Sequence, residues 1–563
     1  MNDDTTAAHG SGGHDPPESN SYSPKNGNAI YRSSSEDGIM KDVTFRYLSG
    51  LDPNNYPEPY QLEDELISEW RSKVKLHNAC IVDREDKYRM PTRLTAYMIA
   101  EILIIVYRVK HLLYSEDDDL TKTNIFGFFC SSGSHKGTYV TSESEIARIA
   151  RLYNGRLTKE DIRNIFQNLS ERAPIAYRCS NPDFVPVNNG IYDYKSKKLL
   201  DFSPDHVFTS KSKVNYNPLA KNIVIHNDSD GTDWDVESWI KSLSDDPEIV
   251  NLIWQVLGAI LRCNVKWNKA AFFMSSQGNN GKGTLCELMR ELCGKGTYVT
   301  LPLSDFGKDF MLSPLEHASS IITDENDFEY LDKVSRLKAV ITNDPINVNR
   351  KHLIPITIRF NGFMIQCLND EAPRFKDKTS SLYRRILPIP FTKCFTGSER
   401  RYIKSDYVHR AEVLEYVMYK ALNISYEKLS EPSACLTLLE GIKISNDPIR
   451  QFVDEVLPKC RWKLLPYSFL YDLYKAWKKE SCPNGTLVGS RTFNNELRTI
   501  LVEIGGWKAP DYEIKVKGKM EDPEPLIFHY QLQNWYNPLY KGPDPEKIGL
   551  PALKQGYRGI VRL

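Results

Sequence analysis

Charge of one sign is missing from this chain as a whole: Lys plus Arg total 73, and Asp plus Glu total 73. A uniformly basic coat is excluded, so any nucleic-acid contact must come from local patches. Cys-x-x-Cys spacing is absent, and the 11 cysteines make an odd number. That excludes a zinc ribbon, gives no sign of a disulfide framework and fits a reducing cytoplasm. Long apolar runs are absent too. The nearest approach, Met98 to Leu113, is broken by Glu101, Arg108 and Lys110 and is too interrupted to span a bilayer. The start of the chain has no apolar signal core. Residues 1–40 hold no Leu, Val, Phe or Trp and cannot offset the entropy of ordering by burial, so a disordered tail is expected over 1–42.

What is present is a chain of 563 residues, 41% hydrophobic and 26% charged, long enough for two or three soluble domains. The spacing of Leu94, Met98, Ile99, Ile102, Ile105 and Val106 is helical, and residues 60–170 read mainly as helices. Residues 173–226 read as short strands and hairpins, with Asn188-Asn189-Gly190 as one turn. These form an N-terminal helical and α+β domain over 43–228. Apolar strands alternate with helices over 229–429, which predicts an α/β domain with a largely parallel sheet. A loop-like linker is expected at 430–447. The region 448–563 reads as three helices and then β-like segments.

The strongest local signal begins at the apolar strand Ala270–Met274. It runs into Ser276-Gln-Gly278-Asn279-Asn280-Gly281-Lys282-Gly283-Thr284, and a helix with Leu285, Leu288, Met289 and Leu292 on one face follows. Strand, Gly-rich loop and helix make up a phosphate-binding loop, whose amides and helix N-terminus suit phosphate oxygens. Lys282 reaches the β- and γ-phosphates in such a loop. Gly283 stands where Ser or Thr usually ligates Mg²⁺, so Thr284 or a water takes that role. Forty-two residues beyond Lys282, an apolar strand ends in Asp324-Glu325. Asp324 suits the Mg²⁺ shell, and Glu325 suits polarising an attacking water. Another apolar strand, Gly362 to Leu368, ends in Asn369, which suits orienting that water. Arg384 and Arg385 precede the strand ending at Phe391. An arginine presented across a subunit interface stabilises charge on the transferred phosphoryl group. Between the acidic strand and the Asn369 strand, strand-like residues flank Arg350-Lys351-His352. This predicts a hairpin whose basic tip grips backbone phosphates.

Taken in this order, the motifs resemble the superfamily 3 helicases of viruses, phages and mobile elements, and more narrowly the phage/plasmid primase-helicase family with its poxvirus relatives. Asn189-Gly-Ile-Tyr-Asp193, Phe202-Ser-Pro-Asp205 and Val214-Asn-Tyr-Asn-Pro218 look like that family's N-terminal helicase-associated domain. Asp447-Pro-Ile-Arg-Gln-Phe452, Leu470 to Trp477 and Phe493 to Leu497 resemble its C-terminal winged helix. The resemblance implies an AAA+ fold, ATP and Mg²⁺ as cofactors, a hexameric ring of identical subunits and 3′→5′ translocation on single-stranded DNA. It makes Arg385 the better finger and Arg384 the second. The host cytoplasm of a bacterium is the expected location, with a virus as the alternative.

The third C-terminal helix shows Arg491, Asn494, Asn495 and Arg498 on one face. From Val456 to Lys519 there are 12 basic and 6 acidic residues, which fits contact with duplex DNA, as at a replication origin. The one dense acidic run, Glu116 to Asp119 with His135 further on, reads as a solvated loop, so primase chemistry is not expected. A nucleotide kinase, a protein-remodelling AAA+ ATPase and a non-enzymatic origin-binding regulator are the competing readings.

Overall fold

The computed structural model describes residues 35–53, 55–113, 125–326, 330–331, 333–350, 355–369, 373–375, 379–481 and 487–563. Its contacts divide the chain into two units, one of residues up to 102 with 150–165, the other of residues 103–149 with 166–563.

The first unit is helical. Helix α1 (Glu36–Ser49) starts under the Ser35 side chain, which accepts from the Gly38 N–H, and buries Ile39, Met40 and Val43. Residues 36–42 of the expected tail are thus helical, because Ile39 and Met40, just before position 43, have a partner. That partner includes α2 (Pro59–Ala79), whose Leu62, Leu66, Trp70 and Val74 are buried. The rest of the expected tail, and Glu116 to Asp119, lie outside the described residues.

The second unit opens with a four-stranded sheet of β1 (Lys110–Leu113), β2 (Phe126–Phe129), β3 (Tyr139–Val140) and β4 (Ile175–Tyr177), in the order β3-β2-β1-β4. A meander follows, β5 (Phe184–Val187), β6 (Gly190–Asp193) and β7 (Lys198–Leu200). No break occurs at residue 228. Val185, Tyr192, Val214 and Tyr216 share one core with the long helix α3 (Pro247–Leu261).

The central sheet is parallel. It comprises β8 (Ala270–Ser275), β9 (Tyr298–Val299), β10 (Ser320–Thr323), β13 (Phe363–Asn369) and β14 (Ile386–Pro390), in the order β9-β10-β13-β8-β14. Alternation along its strands fills two cores. Ala271, Phe273, Ile322, Ile365 and Cys367 face the layer of α3 and α4 (Lys282–Cys293). Ala270, Phe272, Ile321, Met364 and Leu368 face the other layer. Burial on both faces is why these strands read as continuous apolar runs. Between β10 and β13 stands the hairpin β11 (Pro345–Val348) and β12 (Ile356–Arg359). Its Ile346, Val348, Ile356 and Ile358 enter the second core, while Asn347 and Thr357 face out.

The expected linker at 430–447 is instead largely helix. Past a short helix α5 (Arg401–Ser405) and α6 (Ala411–Asn423), α7 runs Ser433–Asn446. Its Cys435, Leu439 and Ile442 follow i, i+4, i+7 spacing and are buried, the last two in the core beneath the sheet. The Asn446 side chain accepts from the Phe375 N–H at 2.7 Å and donates to the Pro373 carbonyl at 2.7 Å.

The C-terminal segment has a separate core. It is built by α8 (Pro448–Glu455), β15 (Leu464–Pro466), α9 (Tyr467–Ser481), α10 (Ser490–Ile504), β16 (Trp507–Lys508) and β17 (Gly559–Arg562), with sheet order β15-β17-β16. Phe452, Tyr474, Trp477 and Phe493 meet edge-on or stacked at its centre. Among the described residues no helix is long and apolar enough to cross a membrane, and the described cysteines are free.

Candidate nucleotide site

The loop after β8 turns through two left-handed residues, Asn279 at φ 54° and Gly281 at φ 86°. Gly281 has a second constraint. A Cβ there would lie 2.5 Å from Leu243 Cδ2. Asn279 tolerates the left-handed region and is held from outside: its amide donates to Thr396 Oγ1 (3.2 Å) and Glu399 Oε1 (3.1 Å), and its carbonyl accepts from the Phe395 N–H (2.8 Å). Asn280 is 5% exposed. Its side chain donates to Ser275 Oγ (2.7 Å) and the Gln277 carbonyl, and accepts from the Lys282 N–H (3.2 Å). Asn280 thus shapes the loop from within, and its side chain is spent before any ligand arrives. At Gly278 a Cβ would meet nothing, so that part of the loop is open.

Lys282 begins α4 and is 4% exposed. Its Nζ donates to the Leu368 carbonyl (2.9 Å), Asn369 Oδ1 (2.8 Å) and Ser275 Oγ. The loop lysine and the residue at the tip of β13 therefore meet across neighbouring strands. These oxygen acceptors hold the ammonium where a phosphate oxygen could replace them. Thr284 is half-buried on the same first turn.

Asp324, at the tip of β10, is paired with a residue that sequence spacing did not single out. Arg290, two turns into α4, donates to both of its oxygens, at 2.8 and 3.2 Å, and to Glu287 at 3.2 Å. Burial pushes the Asp324 carboxyl up, but the Arg290 hydrogen bond and charge, helped by Lys404, outweigh it and hold Asp324 below the ordinary carboxylate range. Glu325 beside it is exposed. Asn326 ties this tip to β13, accepting from the Leu303 N–H (2.8 Å) and donating to Gln366 Oε1 (3.0 Å) and the Cys367 carbonyl (2.9 Å).

Lys404, on α5, is a second unforeseen group. Its Nζ stands 3.5 Å from where a Cβ on Gly283 would be, which sets a cation over the start of α4. The basic run Arg400-Arg401 and Lys404 was the signal in the sequence. Further along α4, Glu287, Glu291 and His409 bring their ligand atoms within 4.8 Å of one another, and His409 pairs with Glu291 at 3.3 Å.

Arg384 and Arg385 do not join this group. They precede β14, whose Ile386 pairs with Ala270 at the start of β8, the opposite end from the loop. At ~3.3 Å per strand residue that end is roughly 17 Å away. Arg385 turns back onto the Ser381 carbonyl, while Arg384 is exposed.

Arg350 stands at the base of the hairpin tip, half-buried, 3.9 Å from Glu316. Lys351 and His352 lie outside the described residues. On α10, Arg491 and Asn495 are exposed, and Asn494 is half-buried. Arg498 departs from expectation: its guanidinium donates to Tyr467 Oη (2.8 Å) and pairs with Asp511 (2.7 Å), so it braces its own domain. Asp511 comes from the segment after β16, and nothing in local spacing reveals that pairing.

Three family models match. One described as D5 N terminal like covers residues 87–264, one described as Poxvirus D5 protein-like covers 444–525, and a family of unknown function (DUF5906) covers 273–385. No curated protein matches. Among solved structures, the apo NrS-1 C-terminal region is similar at 14% identity over 76% of this chain and 98% of that one, with a TM-score of 0.41. A second form of that region gives 15% identity over 72% and 86%, at 0.39. The JCV helicase bound to a small molecule gives 17% over 39% and 63%, at 0.23. The two D5 segments, on either side of the Gly/Asn-rich loop, support a phage or viral primase-helicase-like class.

Proposed function

We propose that this chain is an ATP-dependent DNA helicase of the superfamily 3 type that translocates 3′→5′ as a hexameric ring and acts in replication initiation of a phage, virus or mobile element. One observation carries the reading: Lys282 and Asn369 are bonded at adjacent strand tips, with Asp324-Glu325 on the next strand. That is the division of labour ATP hydrolysis needs. The Asn369 strand lies between the loop strand and the acidic strand, so the three tips stand side by side, which supports the reading.

The donors fit the cofactors. The open loop at Gly278 and a buried ammonium suit a triphosphate, and Thr284 and Asp324 offer the hard oxygen ligands Mg²⁺ takes. Because Arg290 engages both Asp324 oxygens, Asp324 would help hold the ion once Arg290 gave way. When bound, Mg²⁺ supplies positive charge to the phosphate oxygens. Lys282 binds the β- and γ-phosphates, Asn369 orients the water, and Glu325 takes its proton. Lys404 adds a second cation from α5. Arg384, exposed at the far end of the sheet, serves the nucleotide of the adjacent subunit, with Arg385 behind it. Arg350, Lys351 and His352 carry the strand contact.

The order α8, β15, α9, α10, β16, β17 supports a winged helix, with a long insertion where its wing stands, and Arg491 and Asn495 as its duplex-facing residues. The test is steady-state ATPase with and without single-stranded DNA. Lys282→Ala abolishes turnover, and Lys351→Ala removes only the stimulation. Turnover indifferent to DNA in every variant overturns the helicase assignment in favour of a remodelling ATPase or a kinase.

A further inference from the structure

The turn between β2 and β3, Ser131-Ser-Gly-Ser-His-Lys-Gly137, has no part in the nucleotide site. Gly133 and Gly137 lie in the left-handed region, at φ 72° and 85°. Gly137 is also covered by the Phe202 ring, which a Cβ would overlap. The turn is therefore pinned at Gly137, with Ser131 to Lys136 exposed.

Two lysines of the segment 211–213 brace it. Lys213 lays its stem across Gly294, where a Cβ would overlap its Cγ, and its Nζ lies 3.4 Å from the Ser134 carbonyl. Lys211 is 5% exposed, with its Nζ donating to the Asn188 carbonyl at 3.0 Å and lying 5.2 Å from the Phe202 ring centre. Between them, Ser212 Oγ donates to the Leu292 carbonyl at the end of α4.

The result is like charge gathered at one place. Burial first, and then the charges of Lys213 and Lys136, bring the Lys211 amine down to about 8. Burial, then Lys213 and Lys211, lower the His135 imidazole. The charges of Lys213 and Lys136 both act against the Lys211 ammonium, and an anion relieves that repulsion.

We propose that His135 and Lys136 of this turn, with Lys213 beside it and Lys211 buried behind, form a phosphate-binding site for single-stranded DNA, separate from the hairpin tip. The inference rests on the helicase reading for its choice of ligand. A second nucleotide is the poorer occupant. The turn's side chains lie open at the surface, and α4, of 12 residues at ~1.5 Å each, puts its far end roughly 18 Å from the phosphate loop. Backbone contacts of this kind position a strand without reading its sequence. Fastened to the end of α4, the site moves with the helix whose other end meets ATP.

The test uses the full chain without nucleotide and fluorescein-labelled 20-nucleotide oligothymidylate, read by anisotropy over a salt series. Lys136→Gln/Lys213→Gln is expected to weaken binding about tenfold. It should also flatten the log–log salt slope by about 1.4, at ~0.7 per phosphate contact on single strands. Lys136→Gln alone, at an exposed position, should give about half that slope change with an unchanged melting temperature. Unchanged affinity and slope in the double variant overturn the site, as does a wild type that binds no oligonucleotide. If the double variant instead loses affinity for a fluorescent ATP analogue while keeping that for the strand, the phosphate is a free nucleotide's and the proposal fails. The helicase reading fails separately: cluster-dependent strand binding in a protein with no ATP turnover sustains this site and removes the motor.

Discussion

Gly281 is held to glycine twice over, by its positive φ and by Leu243 packed against its α-carbon. Gly281→Ala must take up a left-handed backbone and displace Leu243, each costing about 1–3 kcal/mol. The expected result is a lower melting temperature and weaker binding of a fluorescent ATP analogue, both measured on the same preparation. Arg290 is the other residue whose importance came from contact. Arg290→Met leaves Asp324 partly buried without its partner, at about 1–2 kcal/mol. Denaturant unfolding at neutral pH checks this, and an unchanged midpoint would show the pair to be idle. That Asp324 and Asn369 stand at strand ends was legible in the sequence, because an apolar run that stops at a polar residue is a local trace. Arg290, Asn326 and Lys404 sit on helix faces or loops where a polar residue is unremarkable, so only their contacts reveal them.

Among the elements, α7 separates two readings of residues 430–447. A linker would tolerate Leu439→Ala, whereas a helix buried beneath the sheet loses about 2–4 kcal/mol through the cavity left behind. Glu524 supplies a pH test in the C-terminal core. Its carboxylate accepts from the N–H groups of Arg461 and Trp462, both at 2.8 Å, and Leu526 at 3.4 Å. Burial nevertheless dominates and raises its pKa. A raised folded pKa means the stabilising form is the protonated one, fully present below the ordinary value of about 4.3 and lost as pH rises through the folded value. The wild type should therefore gain melting temperature relative to Glu524→Gln as pH falls from 7 to 5. A constant difference would disprove the assignment. The hairpin β11–β12 was legible because alternation is a local property. The helix at 433–446 was missed because Pro432 and the polar residues around it resemble a loop until the core behind them is known.

For the whole molecule, the distance between Arg384 and the phosphate loop is the feature with the widest consequence. Both lie in one sheet, at opposite ends of parallel strands, so Arg384 cannot serve the loop of its own chain. If it completes a neighbour's site, Arg384→Ala and Lys282→Ala are each nearly inactive alone. An equimolar mixture recovers turnover, since an Arg384→Ala subunit keeps an intact loop that a Lys282→Ala neighbour can supply with arginine. ATPase of the mixture, with no recovery at any ratio, would place the arginines outside catalysis.

By itself the sequence determined the strand, Gly/Asn-rich loop and helix around Lys282, the acidic strand, the Asn369 strand and the alternation of strands with helices, since each depends on residues within a few positions of one another. Only the tertiary structure decided which strands are neighbours and that Asp324 is held by Arg290. It alone showed that Arg498 is bound to Asp511, and that the glycine turn at 131–137 meets Lys213, 79 residues beyond Ser134. Those pairings depend on the path of the chain through three dimensions, and a local pattern of hydrophobic and polar residues carries no record of that path.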